Sequence, residues 1–100
     1  MMKRFRVKLS ARAEEDLIGI WLAIASDSPT TADGFLDRLN GRIDTLAEFP
    51  ERGAARPEFG KDVRFLAEGK YLVFYHVLVA SVEVVRVVHG ARELRDLALD

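Results

Sequence analysis

The residues of this chain best placed to do chemistry sit at the end of a valine-rich run. The stretch "EVVRVVHGARELRDL", residues 83–97, sets Arg86 among valines and then brings His89, Arg92 and Arg95 in quick succession. Histidine titrates near neutral pH and a guanidinium can hold an oxyanion through two hydrogen bonds, so His89 with Arg92 could move a proton at an anionic substrate. A histidine at a strand end is more often a rim residue bonded to backbone, and that is the stronger reading of the residues alone. His76 and His89 are the only histidines, and no pair of acids stands at a ligand spacing beside them, so no metal site is expected. Phosphate-loop, dinucleotide, HExxH and EF-hand patterns are absent, and no cofactor is expected. Ser81 lies in a turn without the glycine-rich elbow that activates a nucleophilic serine.

The elements that must position these groups can be read from periodicity. "FRVKLS" alternates apolar and basic residues as a half-buried strand does, and Ser10 can cap the helix after it. Leu17, Trp21 and Ile24 recur at helical spacing, which predicts Trp21 in the core. "SDSPTT" breaks that pattern, Thr30 or Thr31 can cap a second helix, and Phe35, Leu39, Ile43 and Leu46 share one of its faces. "FPERGAARPEFGKD" is a longer connection than compact domains usually carry, so it should be functional or clamped down. "VRFLA", "KYLVFYHVLV" and "SVEVVRVVH" then give three strands in a meander, with turns at Glu68-Gly69 and Ala80-Ser81. Residues 1–100 are expected to form one domain with the order β-α-α-β-β-β, an α+β fold of two layers in which a helical hairpin packs on one face of a mainly antiparallel four-stranded sheet.

Two-residue turns in both hairpins would put Val63, Phe65, Leu72, Phe74, Leu78, Val85 and Val87 on one face. Arg64, Leu66, Tyr71, Val73, Tyr75, Val77, Val84, Arg86 and Val88 would take the other, with Tyr75 opposite Arg86. Two helices cover only one face, so the second set is expected to form an open apolar surface for a partner. The alternative is that the long loop or the C-terminal segment folds over it.

Charge narrows the partner. Lys3, Arg4, Arg6, Lys8 and Arg12 make the first dozen residues basic, while residues 13–51 hold nine acids against Arg38 and Arg42. Residues 61–100 balance six cations with six acids. A nuclease docking on RNA should be markedly basic there, since nucleic-acid affinity is largely phosphate neutralisation. The chain has no cysteine, which fits the cytoplasm, and "MMKRFRVKLS" lacks the apolar core of a signal peptide.

The basic first strand, "SARAEEDL", "LAEFPERG", "VRFLAEGKYLVFYHV" and the closing R-x-x-H-x-x-R occur in an order that resembles the ParE branch of the RelE/ParE toxin superfamily. The resemblance implies a first strand beside the last and a ParD-like ribbon-helix-helix antitoxin that wraps and silences the toxin, and the open sheet face is where that antitoxin is expected to bind. It also implies DNA gyrase as target, with no reaction catalysed by the toxin. His89, Arg92, Glu93, Leu94 and Arg95 are then expected to recognise that target. The RelE branch implies instead a ribosome-dependent mRNA endoribonuclease, here using Arg64, Arg86 and His89, but Glu93-Leu94 stand where a late tyrosine is usual. A homodimeric interaction module is the third reading.

Overall fold

The computed structural model describes residues 4–94 and 97. Its elements are β1 (Arg6–Leu9), α1 (Ala11–Ala25), α2 (Pro29–Asp44), β2 (Ala54–Ala55), β3 (Val63–Glu68), β4 (Tyr71–Val77), β5 (Ser81–His89) and α3 (Gly90–Glu93), with 3-10 turns at Thr45–Ala47 and Pro57–Phe59. The fold is α+β, as expected: a helical hairpin on one mixed sheet of order β1-β5-β4-β3-β2. β1 runs parallel to β5 and the other neighbours are antiparallel. Four strands were expected. The fifth, β2, is two alanines of the long loop, too short to show any alternation.

Serines start both long helices. Ser10 Oγ accepts the Ala13 N–H at 3.0 Å and its hydroxyl donates to the Val85 carbonyl at 2.9 Å, so one side chain caps α1 and ties it to β5. Ser28, not Thr30 or Thr31, caps α2, because Pro29 fills the first helical position with a fixed φ and no N–H to satisfy. α1 turns Ala13, Leu17, Ile20 and Ile24 inward. Trp21 is not in the core as expected. It sits roughly 100° round the helix from Ile20, half-buried, and its indole N–H donates to Asp33 Oδ1 at 2.8 Å, bridging α1 to α2.

The hairpins differ from the expected register. Gly69 (φ 59°) and Lys70 form the first turn, so Glu68 pairs with Tyr71. The second turn closes with the Leu78 N–H on the Ser81 carbonyl at 2.7 Å, and Val77 pairs with Val82. A bulge then intervenes: Tyr75 pairs with Val84 and Phe74 with Arg86, leaving Val85 unmatched. Tyr75 therefore does not oppose Arg86. An extra residue reverses the parity of the strand beyond it, so Val82, Val84 and Val87 face the helices while Val85 and Val88 face away.

The helices cover the face that was expected to be open. Leu66, Val73, Tyr75 and Val84 are at most 5% exposed, within the cluster that includes Leu17, Phe35, Leu39 and Ile43, with Tyr71 and Val77 packed at its margin. Val88 is buried on the opposite side. Both faces are apolar, so hydrophobicity could not choose between them. Leu66, Val73, Tyr75, Val82, Val84 and Val87 lie beneath the helices, whereas Val63, Phe65, Leu72, Phe74, Val85 and Val88 point the other way, so each face mixes valines with large side chains.

Candidate functional site

Arg86 is held inside the fold. Its Nε and Nη2 donate to Asp16 Oδ2 and Oδ1 at 2.8 and 3.1 Å, and Asp16 Oδ2 also accepts the Val87 N–H at 2.8 Å. β1 stops opposite Val84, so the edge of β5 beyond it needs another acceptor, and Asp16 supplies one. The two side chains are 11% and 15% exposed. The Asp16 hydrogen bond raises the guanidinium pKa above its ordinary value. Arg86 is thus neither on an open face nor stacked on Tyr75, and its bidentate edge is occupied.

Arg64 and Tyr75 clamp the long loop. Arg64 Nη1 donates to the carbonyls of Glu51 and Gly53 at 3.1 and 2.7 Å. The Tyr75 hydroxyl, on a ring with no exposed surface, accepts the Gly53 N–H at 2.9 Å. A Cβ on Gly53 would stand 2.6 Å from both the Phe65 carbonyl and Tyr75 Oη, so the loop needs glycine there. Burial raises the Tyr75 pKa, against the opposing pull of the Gly53 N–H, Arg64 and Arg52.

The sheet's second face is completed by short segments. Val63, Phe74 and Val88 are buried there, with Phe59, Phe65, Leu72, Val85, Leu94 and Leu97 packed on them. Phe59 comes from the Pro57–Phe59 turn and meets Phe74 edge-on at 5.1 Å. A cleft of about 90 Å³ runs between Phe59, Phe65, Leu72, Phe74 and Leu94, and the Arg56 guanidinium lies 4.6 Å from the Phe65 ring centroid at its edge. The loop and C-terminal segment do fold over a sheet face, then, but over the one opposite to that expected.

The expected recognition residues divide at the end of β5. His89 and Arg92 line an open cleft of about 390 Å³ together with Lys70, Tyr71 and the α1–α2 turn. Glu93 folds back so that its Oε1 accepts the His89 N–H at 3.0 Å. Leu94 turns to the second face, and Arg95 lies outside the described residues. His76 Nε2 stands 3.0 Å from Glu83 Oε1 across the hairpin. No group of acids and histidines among the described residues could hold a metal ion.

Sequence reasoning missed Asp16, Gly53 and Phe59. The signal for Asp16 was Arg86 itself, since an arginine inside a valine run needs a buried partner; nothing marked which of the chain's acids would supply it.

The chain matches the family model described as "ParE toxin of type II toxin-antitoxin system, parDE" over residues 7–94. It is similar to "Toxin RelE2" of Caulobacter vibrioides, 35% identical over 81 residues, covering 81% of this chain and 90% of that one. Its fold is similar to that of the chromosomal ParDE toxin–antitoxin system from P. aeruginosa, with a TM-score of 0.73 at 19% identity over 86% of this chain and 96% of the other. The toxin–antitoxin complex RelBE2 from Mycobacterium tuberculosis gives a TM-score of 0.59 at 19% identity, over 89% and 94% of the two chains.

Proposed function

The chain belongs to the ParE toxin family of type II toxin–antitoxin systems, and on that premise we propose that it arrests growth by holding DNA gyrase on cleaved DNA, catalyses nothing itself, and is neutralised in the cytoplasm by a ParD-like antitoxin. The observation that carries the non-catalytic reading is the state of Arg86. An RNase working from this sheet would need its cations free to meet phosphate, yet Arg86 is paired with Asp16 in a largely buried bidentate contact and Arg64 is bonded to loop carbonyls. The balanced charge of residues 61–100 supports the same reading.

The antitoxin contact belongs on the second face. Its apolar cleft between Phe59, Phe65, Leu72 and Leu94, edged by Arg56, has the composition of an interface core with a charged rim. Leu66, Val73, Tyr75 and Val84, which the sequence alone assigned to that contact, are sealed under the helices. The target is met at the end of β5, by His89, Arg92 and the segment that continues through Glu93, Leu94 and Arg95.

A second reading, a ribosome-dependent mRNA endoribonuclease, is favoured by the RelE name of a relative at 35% identity. Induced expression separates the two. The gyrase reading expects double-strand DNA breaks and a DNA-damage response while ribosome-bound mRNA stays whole; cut mRNA with intact DNA would replace it with the nuclease.

A further inference from the structure

α1 is apolar on both of its sides. Residues 17–25, "LIGIWLAIA", carry no charge, yet only one side of the helix is turned to the core, the side of Ala13, Leu17, Ile20 and Ile24. Ile18 and Leu22 point away from it and are 62% and 59% exposed. α2 gives the contrast. Away from its buried Phe35, Leu39 and Ile43 it exposes Asp33, Asp37, Arg38, Asn40 and Asp44, as a helix with one face in water should.

The outer side of α1 has the form of a helix–helix seam. Ala11, Glu15, Ile18, Leu22 and Ala25 follow one another at spacings of four, three, four and three residues, the heptad repeat of paired helices. Laid antiparallel about a twofold axis beside Gly19, two copies set Ile18 of each against Leu22 of the other and Glu15 against Ala25; a parallel pair would bring the two Glu15 side chains together. Gly19 is otherwise unexplained. A Cβ there would meet nothing within 4 Å in the single chain, and glycine weakens a helix interior, whereas at the axis its missing side chain lets the two backbones close. The same arrangement brings Arg12, at the start of one helix, to Asp27, just past the end of the other. Arg12 has Glu15 and Asp16 within a turn and Asp27 has Lys70 and Arg92 across a cleft, yet neither Arg12 nor Asp27 forms an ion pair with any described residue.

We propose that the outer side of α1 is a docking surface for the α1 of a second copy of this chain, packed antiparallel through Ile18 and Leu22 and framed by two reciprocal Arg12–Asp27 pairs. The inference goes beyond the toxin function proposed above and does not depend on it, since the sheet's second face lies across the sheet from α1 and stays open. The seam is about 22 Å long and about 10 Å wide, well below the roughly 800 Å² per partner of a stable complex. The pair should therefore be reversible, dissociating on the order of 100 μM in the free toxin, and tighter wherever a partner already holds two toxins together.

Sedimentation equilibrium of the full-length toxin, over concentrations that bracket that value, should show monomer passing to dimer and no further. Leu22→Glu, at a position exposed in the single chain, should leave the thermal melt unchanged and weaken the dimer at least about tenfold. Arg12→Asp should weaken it by only about two- to fivefold, as exposed ion pairs do, and Arg12→Asp combined with Asp27→Arg should restore it. Monomer at every concentration, or a dimer indifferent to Leu22→Glu, overturns the proposal. Failure of the paired reversal to restore association overturns the antiparallel contact. A toxin that stays monomeric while Leu22→Glu weakens antitoxin binding gives the seam to the antitoxin and overturns the second copy as its occupant.

Discussion

The two faces of the sheet share the same strands and are finished in different ways. On one, α1 and α2 lie over valines, and Tyr75 there holds the loop through Gly53. On the other, aromatic side chains are closed by Phe59 from a 3-10 turn and Leu94 after α3. Regular elements spread their cost of ordering over many contacts, whereas a lone side chain on a short segment is cheaply replaced by another. The first face commits the fold; the second is the one proposed to give a partner contacts that the chain now makes with itself.

Charge on the helix side should have the largest effect. Val73→Asp places an unpaired carboxylate in a dry core, a cost of several kcal/mol against a total of about 5–15. No cooperative melt should survive, and a normal melt would mean that the helices do not seal this face. Asp16→Ala comes next. It leaves Arg86 and the Val87 N–H without their acceptor and should lower stability by about 3–5 kcal/mol in denaturant titrations. A loss near zero would show Arg86 free to find other work.

On the second face the same kind of change should spare the fold. Leu72→Glu is expected to cost the free toxin only about 1 kcal/mol yet weaken antitoxin binding about a hundredfold, as for a residue central to an interface. Unchanged calorimetric affinity would move the antitoxin elsewhere. The smallest effect is at Tyr75. Tyr75→Phe leaves the Gly53 N–H unmet and should cost about 1–2 kcal/mol. An unfolded tyrosine ionises near 10, and burial raises the folded value. The contribution of neutral Tyr75 is thus complete below about 10 and lost as pH climbs from there through the folded value. Melts across that range should fall more steeply for the wild type than for Tyr75→Phe; parallel curves would deny the buried phenol any part in it.

What was legible in the sequence was periodic. The alternation of "FRVKLS", the face of α2 running Phe35, Leu39, Ile43 and the cap at Ser10 all rest on local spacing, and the α+β order came from them. The bulge did not, because "SVEVVRVVH" carries valine on both parities and says nothing of where one residue is added. Face choice failed for a similar reason: both faces are apolar and each mixes valines with large side chains. Asp16 and Arg86 are 70 residues apart, beyond any local signal. The site residues divided accordingly. His89 and Arg92 were picked out by chemistry and do line a cleft, while the open-face set was placed by an assumed register and ended beneath the helices.

The proposed non-catalytic, gyrase-holding role is tested most directly with purified components. Toxin, gyrase, ATP and supercoiled plasmid are incubated, protein is removed under denaturing conditions, and the DNA is resolved on a gel, with ribosomes and mRNA treated in parallel. The expected result is linear plasmid that accumulates in proportion to toxin and is abolished by the antitoxin, with mRNA intact. Unbroken plasmid beside mRNA cut only when ribosomes are present would contradict it.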